Sequence, residues 1–179
     1  MNRSSRGGGS GISSSGYRGT MRIIACLLAT LLAGLAIAAG AGASSEERRA
    51  YAAKVEPICR ANTETIEHLL NGTRKMANHG QAVAAGRRFV QASNVFSATV
   101  RKVAKVQRPT TYSARIGKWI ERLHNVKEGL RRVGIALKER NRLKALNRSG
   151  QLRDAGTSAN RAVVGFHFRY CRIREARFS

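Results

Sequence analysis

Apolar residues in the second half of the chain recur three and four positions apart. Ile116, Trp119, Leu123, Val126, Leu130, Val133 and Leu137 are spaced 3, 4, 3, 4, 3, 4. That places all seven on one stripe of an α-helix long enough to line a bundle core. The Trp119 indole N–H is expected to want a partner or water at the margin of that core. Phe89, Ala92, Phe96, Val100 and Val103 form a second stripe, predicting a helix over 81–106. Arg87, Gln91, Asn94, Arg101, Lys105 and Arg108 fall on another stripe of the same helix.

A first helix is predicted over 44–79 from Ala52, Val55, Cys59, Asn62, Ile66, Leu69 and Met76. Ser44 or Ser45 ahead of Glu46 and Glu47 suits its N-cap, and Gly80 in "NHG" suits its end. Pro57 lacks an N–H, so the helix either kinks there or begins near Glu56. Asn62 is either a buried amide that fixes register or a half-exposed residue at the bundle edge. "QRPTT" at 107–111 is a loop, because Pro109 pushes Arg108 out of helical geometry. A fourth helix, from about Arg142 to Tyr170, has a weaker pattern of Leu152, Ala155, Ala159, Ala162, Val163 and Phe166, interrupted by Gly150, Gly156 and Gly165. Its start falls at "RNR" (140–142) or "NRSG" (147–150). The expectation is all-α, an up-down-up-down four-helix bundle.

The N-terminus reads differently. Residues 1–20 are Gly/Ser-rich without periodicity and cannot bury enough surface to fold. Arg22, an apolar run from Ile23 to Ala39 and the small residues Ala41-Gly42-Ala43 then make a secretory signal peptide, with cleavage between Ala43 and Ser44. The leader before it suggests Met21 as the true start. An uncleaved anchor over 23–43 is the competing reading, although the run is shorter than the roughly 20 residues that span hydrocarbon. The layout is therefore a leader (1–20), a signal peptide (21–43), a bundle (44–172) and a basic tail (173–179).

The chain has 33 Lys+Arg against 10 Asp+Glu, a net charge of +23. Residues 1–43 hold four of the basic residues and none of the acidic ones, so removing them leaves about +19. They also hold Cys26, which leaves Cys59 and Cys171 as an even pair in an exported chain. Bundle levels reflect across each turn. Cys59 maps to about residue 100, then to about residue 119, and Cys171 returns to that level if the last turn centres near about residue 145. The geometry is consistent with a Cys59–Cys171 bridge between the first and last helices. Closing so long a loop is worth on the order of 4–5 kcal/mol in the chain-entropy account.

Sharper chemistry finds little support. His167 and Cys171 lie four apart on the predicted last helix and Cys59 could join them, but a structural zinc needs a fourth ligand. Glu121 and His124 form a Glu-x-x-His pair, yet a di-iron bundle needs two such pairs and further glutamates, and 81–107 contains no acidic residue. No catalytic, metal or cofactor site is expected. What remains is charge, concentrated on Arg87, Arg88, Arg101, Lys102, Lys105, Arg108, Arg169, Arg172 and Arg174. Such a surface attracts polyanions, whether anionic lipid, wall polymer or nucleic acid, through non-specific electrostatics. The plain alternative is that an arginine-rich genome coats an ordinary bundle with arginine.

With "AYAAKVEPICRAN" (50–62), the Trp119 helix and "ANRAVVGFHFRYC" (159–171), the chain resembles small exported helical proteins of high-GC bacteria. In these a signal peptide precedes a helical domain with one cysteine in its first helix and one near its C-terminus. The resemblance implies export and a helical fold, and it carries no activity. It leaves two expectations for function: a non-catalytic binding or structural module at the cell envelope, and, as the alternative, an extracytoplasmic nucleic-acid binder. A metal-binding or enzymatic bundle comes third.

Overall fold

In a computed structural model of the chain, the backbone is described for residues 20–174 and the side chains for 44–174. Among these residues there are helices and no strands. They run as α1 (Thr20–Leu70), α2 (Thr73–Asn78), α3 (Ala82–Ala104), a 3-10 turn (Thr110–Tyr112), α4 (Ser113–Lys138) and α5 (Arg142–Ala162). The chain divides into two units, Met1–Ala43 and Ser44–Ser179, and the four-helix bundle belongs to the second. The signal-peptide, start and cleavage expectations rest on residues 1–43, outside the described side chains. Among the described residues no helix is long and apolar enough to cross a membrane.

The predicted stripes form the core. Ile116, Trp119, Val126 and Leu130 of α4 are fully buried, as are Val55 of α1 and Val103 of α3. Leu137 closes the α4 stripe half-buried, while Arg87, Gln91, Asn94, Arg101, Lys105 and Arg108 face solvent. One close approach sets the spacing of α3 and α4. A Cβ on Gly86 would lie 2.5 Å from the Gly134 carbonyl oxygen, and one on Gly134 would lie 2.7 Å from that of Gly86. Only two glycines let the backbones pack this tightly.

Several boundaries differ from the sequence expectation. Ser44 and Ser45 lie inside α1 instead of capping a helix, because the helix already runs from Thr20. Pro57 neither starts nor stops α1. The carbonyl it leaves without a donor is that of Ala53, and both residues are exposed, so water can serve it. α1 ends at Leu70, not near His79. Gly72 takes a left-handed φ of 73° and the buried Thr73 hydroxyl donates to the Leu70 carbonyl at 2.8 Å. Met76 therefore belongs to the short α2. Asn62 is half-buried and donates its amide back to the Ile58 carbonyl at 2.9 Å.

The largest correction concerns the last helix. α4 ends at Lys138 and α5 starts at Arg142, so the break is at "RNR" and not near residue 145. Arg140 adopts a left-handed φ of 56°, the Asn141 N–H donates to the Ala136 carbonyl, and the Asn141 side chain accepts from the Lys144 N–H. At the other end α5 stops at Ala162 instead of Tyr170. Gly165 at φ 89° and His167 at φ 54° turn the chain into an irregular strap over 163–174. Cys171 is thus not on a helix. The mapping by equal rise failed because these residues do not advance at the helical rise.

Candidate anion-binding surface

The strap is built to stay on the bundle. Cys59 and Cys171 form a disulfide with Cα atoms 5.0 Å apart. One turn earlier on α1, the Glu56 carboxylate accepts the backbone N–H groups of Arg169 (3.0 Å), Tyr170 (2.9 Å) and Cys171 (3.2 Å). Asn160 of α5 donates to the Ile173 carbonyl at 2.7 Å and accepts the Ile173 N–H at 2.9 Å. Gly156 leaves room for Ile173, since a Cβ there would meet its Cγ2 at 2.9 Å.

Aromatic packing fixes the inner face. Phe166 meets Tyr51 and Tyr112 edge-on at 6.3 and 5.3 Å, and Phe168 lies 5.1 Å from the Trp119 ring. Burial pushes the Tyr51 phenol up to about 12, with the Arg108 charge acting weakly the other way. Trp119 is fully buried, not at the core margin, and its indole N–H has no partner among the described residues. It lines a small cleft of about 40 Å³ with Phe96, Thr99, Tyr170, Arg172 and Arg174.

Some arginines serve the fold. Arg115 donates to the Ala162 and Val164 carbonyls at 2.7 and 2.6 Å, and Arg122 donates to the Ser158 carbonyl at 2.8 Å. These side chains satisfy the carbonyl end of α5, where cations also suit the helix dipole. Glu128 gathers Lys127, Arg131 and Arg132. Its hydrogen bond from Arg131, helped by those charges, holds its carboxyl below the ordinary range.

The nine expected anion-binding residues fall into two groups. Arg87 and Arg88 open α3, where Arg88 donates to the Asn71 carbonyl. Arg101 lies fourteen residues further along the same helix, about 21 Å away. Arg101, Lys102, Lys105 and Arg108 follow at the far end of α3, where Val100 and Val103 share the Trp119 cleft with Arg172 and Arg174 of the strap. Arg169 is exposed and stacks over Tyr170 at 5.2 Å. None of the nine forms an ion pair among the described residues, where the acidic partners Glu64, Glu128 and Glu139 are taken by other cations.

On the outer side of the strap, Arg161, His167, Arg172 and Arg174 line a hollow of about 610 Å³ with Asn160, Thr157 and the apolar Val163, Val164 and Phe168, and no acidic side chain among the described residues lines it. Arg161 and His167 were missed at the sequence level. They are joined to the strap arginines by its turn at Gly165, and helical spacing cannot show that. Of the metal candidates, Cys171 is in the disulfide, His167 is off any helix, and Glu121 and His124 are exposed on α4. Among the described residues no three His, Cys, Asp or Glu side chains converge.

Comparison with protein-family models, with curated proteins and with solved structures returned no match.

Proposed function

We propose that this protein is an exported, non-catalytic module that binds anionic components of the cell envelope through its guanidinium surface. The observation that carries this reading is the strap hollow, which gathers Arg161, Arg172, Arg174 and His167 with no acidic side chain among the described residues of its lining. Guanidinium forks suit phosphate and carboxylate groups, and uncompensated cations gain by exchanging bulk counterions for a polyanion. A disulfide between Cys59 and Cys171 fits a non-reducing compartment, in line with the signal peptide read from the sequence.

Retention on heparin and co-sedimentation with phosphatidylglycerol vesicles, each at rising salt, test the reading. Binding that persists above about 0.2 M salt supports it. Release from both below that concentration removes its support, and retention on a DNA duplex in a parallel titration without vesicle binding transfers the surface to nucleic acid.

A further inference from the structure

The opposite end of the bundle carries a different surface. Leu143 and Leu146, three apart on the first turns of α5, are 81% and 62% exposed. Val164 is also exposed, beyond the far end of α5, but only these two stand together outside the core on one helix among the described residues, beside a buried stripe of Ala145, Leu152 and Ala159. Arg140, Arg142, Lys138 and Arg148 lie on the same turn and helix start. Lys144 is taken by Glu139 at 2.7 Å, so the acid of this turn is already neutralised. Beside the leucines, a groove of about 590 Å³ passes between Arg74, Phe89, Leu137, Arg142 and Leu146.

We infer that the α4–α5 turn is a membrane-docking tip, with Leu143 and Leu146 entering the acyl boundary of an anionic bilayer while Arg140 and Arg142 hold its phosphates. The inference rests on the anion-binding reading and names the lipid surface as the partner at this end. Exposed leucines ringed by cations match a headgroup–acyl boundary, which offers apolar depth beneath negative charge. A nucleic-acid backbone offers the charge without the apolar layer. A second copy of the chain would bring the same arginines face to face, and their repulsion opposes that pairing. The start of α5 adds the positive end of a helix dipole at the same place.

The test compares the full-length oxidised protein with its Leu143→Ser/Leu146→Ser variant. Phosphatidylglycerol vesicles and heparin are the two binding partners, and circular dichroism checks the fold. Both leucines are exposed, so helicity should be unchanged. The expected result is a fall of about tenfold or more in partition onto phosphatidylglycerol vesicles, with heparin elution unaltered. Equal vesicle binding by the two proteins overturns the docking tip. So does a wild-type protein that binds heparin but not the vesicles, and in that case the anion-binding reading survives. Binding to neither partner ends both. A self-association lost in the variant without any change in vesicle binding assigns the leucines to a second copy and also overturns the inference.

Discussion

Both carboxylate oxygens of Glu56 accept the backbone N–H of Tyr170, at 3.2 and 2.9 Å, across 114 residues of sequence. Cys59, one helical turn further along α1, bonds to Cys171, so one short stretch of helix holds the strap through two different interactions. Pro57 lies between them, exposed, in a helix that continues past it. The stretch "EPIC" is therefore an anchoring unit. Replacing Glu56 by Ala leaves strap N–H groups without their charged acceptor. The expected loss is about 1–3 kcal/mol in urea unfolding, and an unchanged midpoint would show that the carboxylate adds nothing to the disulfide.

Reduction, or the Cys59→Ser/Cys171→Ser variant, should lower stability by about 2–5 kcal/mol, the upper end being the chain-entropy value for so long a loop. Trp119 is the chain's sole tryptophan and lies under Phe168 of the strap. Loosening the strap is expected to shift its fluorescence to the red. An emission maximum that does not move on reduction would mean that the aromatic contacts hold the strap unaided.

The helices themselves were plain in the sequence, because the 3–4 spacing on α3 and α4 survives into a buried stripe with few exceptions. The strap was not. "FHFR" alternates apolar and polar residues, with Phe166 and Phe168 buried and His167 and Arg169 exposed, before the phase shifts by one at Tyr170 and Cys171. That period of two signals extended chain, and it went unread beside the helical pattern of 152–163. Gly72 likewise carries no signal within the 3–4 pattern of 44–79, yet its left-handed φ of 73° ends α1 there. The charged residues were identifiable singly, but their grouping depends on the turn at Gly165 and on which end of α3 each occupies. Arg115 and Arg122 look like surface charge in sequence, and their task at the carbonyl end of α5 emerges only from its termination at Ala162.

The two glycines between α3 and α4 should be intolerant. Gly86→Ala forces a methyl group to within 2.5 Å of a backbone oxygen, and the helices must part. A loss of about 1–3 kcal/mol is expected in denaturant unfolding. Arg140→Gly should act in the opposite sense, since it relieves a left-handed arginine at the end of α4, and a gain of about 1 kcal/mol is expected. A destabilised Arg140→Gly protein would show that the side chain contributes more than its backbone conformation costs.

Alkaline pH should weaken the fold through Tyr51. Its folded value is raised to about 12 because burial disfavours the phenolate, whereas an unfolded tyrosine titrates near about 10. The folded state therefore holds the proton more tightly. The corresponding stability is complete below about pH 10 and is lost as pH rises towards about 12, a fall of about 2–3 kcal/mol. Phenolate absorbance read beside unfolding curves checks this. A Tyr51→Phe protein that keeps the full alkaline loss would assign it elsewhere.

Arg161, Arg172 and Arg174 form no ion pair among the described residues, and the salt dependence of heparin binding directly tests the central claim that they bind a polyanion. The wild-type protein is compared with an Arg161→Gln/Arg172→Gln/Arg174→Gln variant whose unfolding midpoint is unchanged. If these three groups displace counterions, affinity falls and the slope of log K against log salt becomes shallower by about two to three. An identical slope in the two proteins would contradict the claim, because the hollow would then contribute no contacts to the bound anion.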